Sequence, residues 1–155
     1  MKLFHLSDLH IGKRVNEFSM LEDQKYILGQ ILKAAKEHQP EGIILAGDIY
    51  DKPVPAAEAV QVFDDFLTSL NEMGLPVFMI SGNHDSAERI AFGSRLMSSR
   101  QIYLSPVFES DVEPVTISDR YGEINIYMLP FVKPSLVKRV YPEEEIITYQ
   151  DAVNA

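Results

Sequence analysis

The sequence predicts an α/β fold in which short buried strands alternate with amphipathic helices. Short apolar runs that end at Gly, Asp or Asn are typical of strands covered on both faces. The longer segments between them carry apolar residues at the spacing of a helix with one buried face. The order along the chain is strand, helix, strand, helix, strand, helix, strand, and this alternation favours a parallel sheet.

Four apolar runs are the predicted strands of this sheet. They comprise residues 2–6, 42–46, 76–80 and 102–104. Two later runs, residues 115–117 and 124–129, flank Tyr121-Gly122, which favours a hairpin with some extra residues in its turn. These last two strands are candidates for a second sheet that faces the first.

Three segments have the apolar spacing of helices, and they comprise residues 22–38, 55–73 and 85–98. The second segment is the clearest, because Gly74 lies just past its end, where helices commonly stop. Its predicted apolar face consists of Val60, Phe63, Leu67 and Leu70.

The last residues have the pattern of a helix that begins and is not completed. Thr148 is the predicted N-cap of a helix that starts at Tyr149, and the chain stops soon afterwards at Ala155. Isolated helices this short are marginal in water. We therefore expect residues 1–155 to form one partial domain that is truncated at its C-terminus.

Length, charge and composition bound the class of protein. The chain has 155 residues, no cysteine and a formal net charge of −9, so disulfides and thiolate metal sites are excluded. The negative net charge argues against a basic surface that binds nucleic acid by itself. It fits a site that binds cations, or a partner protein that supplies positive charge. The N-terminal apolar run is too short for a signal peptide, and no run reaches membrane-spanning length. The expectation is a cytoplasmic protein with no membrane contact.

Clusters of candidate metal ligands follow three successive strands. Because parallel strands present their carboxyl ends at one edge of the sheet, these clusters are expected to meet in one crevice. The clusters are Ser7-Asp8-Leu9-His10, Gly47-Asp48-Ile49-Tyr50-Asp51 and Gly82-Asn83-His84-Asp85.

The types of ligand limit the metal. Oxygen donors from Asp and Asn with nitrogen donors from His suit manganese or iron, with zinc or magnesium as further possibilities. A carboxylate at the end of the central strand is able to bridge two ions about 3.5–4 Å apart, the separation used in two-metal phosphoryl hydrolysis. The pattern therefore predicts a site for two divalent cations.

Each motif also has an ordinary structural explanation. Asp-x-His occurs often by chance, Gly-Asp-x-x-Asp is a common turn pattern, and Asp85 alone is explained as a helix cap. Their occurrence together, in order, at three strand ends favours the functional interpretation. Of the neighbouring residues, we interpret His5 as a core residue or one that supports the ligands from behind, His38 as a surface residue and Tyr50 as packing near the site. Lys13, Arg14 and Lys52 are candidates for phosphate contacts, although such residues are more often simply solvated.

These motifs resemble those of the calcineurin-like metallophosphoesterase superfamily. Its signature is Asp-x-His, then Gly-Asp-x-x-Asp, then Gly-Asn-His followed by Asp or Glu. The fuller stretches HLSDLHIGK, ILAGDIYDKPVP and ISGNHDS are similar to the branch of nucleases that act in DNA double-strand-break repair. The resemblance implies a layered α-β-β-α sandwich, of which this chain would be the N-terminal portion.

The resemblance also implies a role for six residues. Asp8 and His10 would bind the first metal, Asp48 would bridge both metals, and Asn83 would bind the second. His84 matches the histidine that stabilises the transition state or protonates the leaving group. Asp51 matches the residue that pairs with this histidine and orients it. Roles are thereby implied for Asp8, His10, Asp48, Asp51, Asn83 and His84.

The activity implied is a manganese-dependent 3′-to-5′ exonuclease and hairpin endonuclease of DNA repair and recombination. Its partners would be DNA, an SMC-like coiled-coil ATPase, and a second copy bound through residues 55–73 and 85–98. The family's later histidine and Gly-His-x-His have no counterpart, since no histidine follows Asp85. We therefore expect the chain alone to be inactive. The alternatives are another phosphoesterase, such as a phosphatase or a cyclic nucleotide phosphodiesterase, and a non-catalytic dimerising module.

Overall fold

The computed structural model describes residues 1–109 and 111–155. Eight strands lie in the described ranges: β1 Leu3–Leu6, β2 Arg14–Val15, β3 Phe18–Ser19, β4 Gly42–Ala46, β5 Val77–Ile80, β6 Ile102–Leu104, β7 Pro114–Asp119 and β8 Gly122–Tyr127. The α-helices there are α1 Leu21–His38, α2 Ala57–Glu72, α3 Ala87–Ile90, α4 Ser94–Met97, α5 Pro134–Val140 and α6 Tyr149–Asn154.

The main sheet is parallel and has the strand order β1-β4-β5-β6. Its central strands are deeply buried, and Ile43, Leu45 and Val77 have no exposed surface. The prediction of a parallel, buried α/β sheet is confirmed. His5 was predicted to lie in the core and is exposed instead, because β1 is the edge strand and is only partly covered.

Helices α1 and α2 pack against each other and cover the main core. The buried face of α2 consists of Ala59, Val62, Phe63, Phe66, Leu67 and Leu70. Val60 was predicted to lie on this face but is 43% exposed. The buried stripe runs one position to the side of it, through Ala59 and Phe63, which are four residues apart.

The segment 85–98 is not the single helix that its apolar spacing predicts. It forms α3 and α4, and a 3₁₀ turn of Ser98–Arg100 follows. Gly93, between the two helices, has a φ of +76°, a left-handed conformation that interrupts a right-handed helix. Phe92 and Leu96 are consequently 84% and 79% exposed, and Ile90 is the buried residue of α3.

Strands β7 and β8 form the predicted hairpin as a separate two-stranded sheet. Only Arg120 and Tyr121 connect the strands, so the extra turn residues that the sequence suggested are absent here. The hairpin is tied to the first residue of the chain, whose ammonium group donates a hydrogen bond of 2.6 Å to Asp119 Oδ2. That bond links the start of β1 to the second sheet.

Two elements escaped prediction from the sequence, the short β2-β3 hairpin and α5. Helices α5 and α6 share a small second core formed by Val132, Val137, Ile146 and Ala152. The predicted N-cap of α6 is confirmed, because Thr148 and Asp151 form a reciprocal capping box. Among the helices in the described ranges, none is long and apolar enough to cross a membrane.

Candidate metal centre

The loops that follow β1 and β4 run side by side beyond the ends of their strands. The main-chain N–H groups of Asp8, His10 and Ile11 donate to the carbonyls of Gly47, Asp48 and Ile49, at 3.2, 2.9 and 2.9 Å. The parallel pairing of β1 with β4 thus continues into the loops. The predicted ligands of the first and second motifs are held as neighbours by this pairing.

Three of the candidate ligands have left-handed backbone conformations. The φ angles of Asp8, His10 and Asp48 are +56°, +44° and +50°. Such a conformation costs a residue with a Cβ on the order of 1 kcal/mol, and it persists only where the surroundings impose it. Strain of this kind concentrates at functional sites, which fits the positions of these three residues.

The loop after β5 approaches the loop after β4 backbone to backbone. A Cβ added to Gly82 would lie 2.1 Å from Asp48 Oδ1 and 2.3 Å from Asp48 N. Gly47, with a φ of +86°, lies against Gly82 in turn, since a Cβ there would be 2.8 Å from Gly82 Cα. Glycine at both positions is therefore what allows the second and third motifs to meet.

Asp85 fastens the same two loops together. Its Oδ2 accepts hydrogen bonds from the N–H groups of Ile49 at 3.1 Å and Gly82 at 2.9 Å, and its Oδ1 accepts one from Tyr50 at 2.9 Å. The ordinary structural explanation of Asp85 as a helix cap does not hold, because the N-cap of α3 is Ser86. Asp85 is a structural residue of the site that motif spacing alone did not reveal.

His10, Asp48 and His84 form a cluster in which one ligand atom from each lies within 4.8 Å of the others. His10 Nε2 is 3.7 Å from Asp48 Oδ2 and 3.8 Å from Asp8 Oδ1. These separations are too long for hydrogen bonds and suit side chains that share a cation rather than a proton. The three motifs therefore meet at one point, as the sequence predicted.

The chemistry of this cluster fits a divalent cation. Imidazole nitrogen and carboxylate oxygen donors suit manganese, iron or zinc. His10 Nδ1 is buried and has no hydrogen-bond partner in the part of the chain that the structure describes. The nearest carboxylate atom to it there is Asp51 Oδ1, at 3.8 Å. The other ring nitrogen, Nε2, lies towards Asp48 and Asp8, where it could act as a metal ligand.

His84 is positioned by two groups of the second motif. Its N–H donates to Asp48 Oδ1 at 2.9 Å, and its Nδ1 lies 3.0 Å from the main-chain carbonyl of Asp51. The contact between Asp51 and His84 is thus made by the carbonyl, while the Asp51 carboxylate lies on the side of His10. A proton on His84 Nδ1 would be held by this carbonyl, leaving Nε2 directed to the site.

Asn83 and Asp8 lie at the open side of the cluster. The Asp8 side chain is 68% exposed. Asn83 is exposed too, and it lines a cavity of about 390 Å³ that extends from the third motif to α5. All six predicted site residues therefore lie on the three loops, with His10, Asp48 and His84 in the tightest group.

Tyr50 packs beside the site, as predicted. Its ring contacts that of Phe63 edge to face, with 5.6 Å between the ring centroids. Burial, assisted by the charges of Asp85 and Asp64, raises the pKa of Tyr50 to about 12. The phenol therefore stays protonated near neutral pH and does not serve as a base.

Comparison with known proteins agrees with this geometry. The model of the calcineurin-like phosphoesterase family matches residues 1–151. The curated SbcD subunit of the nuclease SbcCD from Staphylococcus epidermidis is 38% identical over 155 residues, which cover 99% of this chain and 40% of that protein. The corresponding SbcD protein from Staphylococcus saprophyticus is 37% identical over the same shares. This chain spans about two fifths of the length of these relatives. The resemblance found in the motifs is confirmed, and the chain belongs to the calcineurin-like phosphoesterase family.

Proposed function

We propose that the whole protein is the nuclease component of a DNA-repair complex and hydrolyses DNA phosphodiester bonds with two divalent ions, most simply Mn²⁺. The observation that carries this proposal is the cluster of His10, Asp48 and His84 within 4.8 Å at the ends of the parallel strands. The relatives are named as subunits of a nuclease, which supports a nucleic acid as the substrate. Membership of the family by itself supports the hydrolysis of a phosphoester and does not identify the substrate.

In this proposal each of the three motifs supplies ligands to the ions. Asp8 and His10 would hold one ion and Asn83 the other, and Asp48 would contribute a ligand to both. When bound, the two ions activate a water and neutralise charge on the phosphate. The pairing of the two loops, which imposes the left-handed backbone at Asp8, His10 and Asp48, would hold the donors in place before any ion arrives.

His84 is the proposed donor of a proton to the leaving oxygen, or of a hydrogen bond to the phosphate. The carbonyl of Asp51 holds its Nδ1 at 3.0 Å, which fixes the orientation of the ring. The carboxylate of Asp51 lies 3.8 Å from His10 Nδ1, beyond hydrogen-bond distance, on the side of the histidine proposed to bind metal. Asp51 thus orients His84 through its main-chain carbonyl.

Further ligands are proposed to come from other parts of the whole protein. The resemblance implies three later histidine ligands, and this sequence has no histidine after Asp85. We accordingly propose that the 155 residues bind Mn²⁺ weakly and show little or no turnover alone. Robust Mn²⁺-dependent cleavage of linear duplex DNA by these residues would contradict this part.

The proposed partners are an SMC-like coiled-coil ATPase of the SbcC type and a second copy of the chain. The relatives are named as one subunit of an SbcCD nuclease, which supports the first. The exposed apolar residues Val60, Phe92 and Leu96, on the segments 55–73 and 85–98, support the second. Co-purification with such an ATPase and sedimentation of the whole protein test the two in turn.

A substrate panel on the whole protein tests the activity. We expect Mn²⁺-dependent cleavage of duplex DNA and of DNA hairpins, and we expect His84→Ala to abolish it. Glu37→Gln, an exposed site on α1, is the matched control and should leave cleavage unchanged. Hydrolysis of phosphoproteins or cyclic nucleotides without DNA cleavage would contradict the nuclease assignment. Cleavage that survives His84→Ala would remove that residue from the proposed chemistry.

A further inference from the structure

A cavity opens beside the metal centre and joins the third motif to α5. One wall consists of residues 81–83 and 85–88, and the other of Phe131, Lys133, Ser135, Leu136 and Arg139. Its volume is about 390 Å³, within the range of small-molecule and strand-binding clefts. The cavity starts at Asn83, so a substrate bound at the metal centre has direct access to it.

We propose that this cavity is a subsite for the phosphate backbone of the nucleic-acid strand, next to the phosphate that is cleaved. Lys133 and Arg139 would be the residues that hold the strand there. The inference rests on the proposed nuclease function and names part of its substrate contact. It concerns residues that the sequence motifs do not include.

The α5 wall belongs to a segment whose charge differs from the rest of the chain. Residues 124–142 contain no Asp or Glu and three basic residues, Lys133, Lys138 and Arg139, within a chain of net charge −9. Lys133 is the N-cap of α5, and Leu136 and Arg139 follow it at intervals of three residues. All three residues line the cavity.

Lys138 lies elsewhere on the same helix. Its ammonium group donates to the carbonyl of Glu144, and it does not line the cavity. Val137, next to it, is buried in the second core. The packing of α5 therefore places Lys133 and Arg139 along the cavity. Lys138 lies outside the cavity and provides a control for the loss of a positive charge.

The opposite wall carries two carboxylates, and both are already engaged. Asp85 accepts three main-chain hydrogen bonds, and Glu88 accepts one from Ser86 Oγ at 2.7 Å. The positively charged side chains that line the cavity are Lys133 and Arg139, and both lie on the wall that faces these carboxylates.

The position of the cavity favours a strand over a single phosphate. A phosphate held by Lys133 and Arg139 is distinct from the one at the metal centre, and a phosphomonoester substrate has no second phosphate to place there. A polynucleotide has one at every residue. The main-chain N–H of Phe131 donates to the carbonyl of Ser81 at 2.9 Å, so the two walls are held at a fixed separation.

Fluorescence anisotropy with a labelled single-stranded DNA and a labelled duplex, in EDTA, tests the subsite without any metal or turnover. We expect the 155-residue chain to bind and the double substitution Lys133→Gln, Arg139→Gln to bind about tenfold more weakly. The slope of log K against log salt should become less negative by roughly one to two, at about 0.7–0.9 for each phosphate contact. Circular dichroism and thermal unfolding establish that the variant is folded.

Lys138→Gln and Lys33→Gln are the controls, because each removes one charge, the first beside the cavity and the second on α1. Equal losses in the controls, no loss in the double variant, or no binding by the unsubstituted chain would overturn the subsite. Tighter binding of a phosphopeptide than of DNA would overturn it as well. Failure of the whole protein to cleave DNA, with the expected binding losses intact, would instead count against the proposed function alone.

Discussion

Gly82 lies so close to Asp48 that a Cβ at Gly82 would be 2.1 Å from the carboxylate oxygen Oδ1 of Asp48. No side chain fits in this space, and the backbone of Asp48 adopts a left-handed conformation there, with a φ of +50°. The proposed bridging ligand is therefore placed by the absence of a side chain in the neighbouring loop. This relationship makes the metal centre sensitive to changes that touch no ligand.

Gly82→Ala should destabilise the fold and weaken metal binding. The added methyl also meets Asp48 N at 2.3 Å, so main chain as well as side chain must move. We expect a loss of about 1–3 kcal/mol in the free energy of unfolding, as for other overpacked sites. Urea denaturation and Mn²⁺ titration measure the two effects.

Gly29→Ala is the matched control. Gly29 lies inside α1, and a Cβ there would meet no heavy atom within 4 Å. Alanine is the better helix former, so this change should stabilise the chain by roughly 0.5–1 kcal/mol. Equal stability and equal Mn²⁺ affinity in Gly82→Ala and the unsubstituted chain would show that the close approach is unimportant.

Asp85→Asn should cost more stability than the loss of an ordinary surface contact. An amide has one oxygen to accept the N–H groups of Ile49, Tyr50 and Gly82, and its NH₂ group would face at least one of them. We expect a loss of about 3 kcal/mol, because hydrogen bonds to a charged acceptor are worth about 1.5–3 kcal/mol each.

Ser86→Ala serves as the comparison for Asp85→Asn. Ser86 is the N-cap of α3 and accepts from Arg89 N at 3.4 Å. Its loss should cost about 1 kcal/mol or less. If chemical denaturation gave the two variants the same stability, Asp85 would be an ordinary turn residue and its role in fastening the loops would be refuted.

The ion pair between the Met1 ammonium group and Asp119 should make stability depend on pH in two directions. The hydrogen bond that the Met1 ammonium group donates to Asp119 raises the pKa of the ammonium group, and the same bond lowers the pKa of Asp119. A raised amine pKa stabilises the fold at low pH and loses that effect as the pH rises through the folded value. A lowered carboxyl pKa stabilises at high pH and loses that effect as the pH falls through the folded value.

The stabilisation by this pair is therefore greatest between the two ordinary pKa values, from about pH 4 to about pH 8. Asp119→Asn should lower the thermal unfolding temperature most within this window and progressively less outside it. Asp111→Asn, an exposed acid, should show no such window. A difference between Asp119→Asn and the unsubstituted chain that is constant from pH 3 to pH 10 would contradict the ion pair.

The parts of the fold that follow from local pattern were predictable from the sequence. Strands 42–46 and 102–104 have the predicted bounds, and the convergence of three strand ends follows from parallel pairing alone. Predictions were wrong where the conformation of one residue, or the position of one strand in the sheet, overrode the local apolar pattern. Gly93 breaks the helix expected over residues 85–98, and the edge position of β1 leaves His5 exposed.

The residues that hold the loops of the site or line the adjoining cavity were harder to predict from the sequence than the candidate ligands. Asp85 resembles a cap in the sequence because its three donors are distant along the chain, at Ile49 and Tyr50, or look like turn residues, at Gly82. Lys133 and Arg139 lie about fifty residues beyond the last motif, and only the tertiary fold returns them to it. The sequence instead indicates Lys13, Arg14 and Lys52 as candidates for phosphate contacts, because they lie next to the motifs along the chain.

Binding of Mn²⁺ to the 155-residue chain, followed by isothermal titration calorimetry, tests the central claim that three strand ends form one cation site. Asp48→Asn keeps the shape of the side chain and removes its charge, and the exposed residue Asp23 on α1 provides Asp23→Asn as the control. We predict that Asp48→Asn weakens Mn²⁺ binding by about tenfold or more, while Asp23→Asn leaves it unchanged. Equal Mn²⁺ affinity in the unsubstituted chain and Asp48→Asn would contradict the claim.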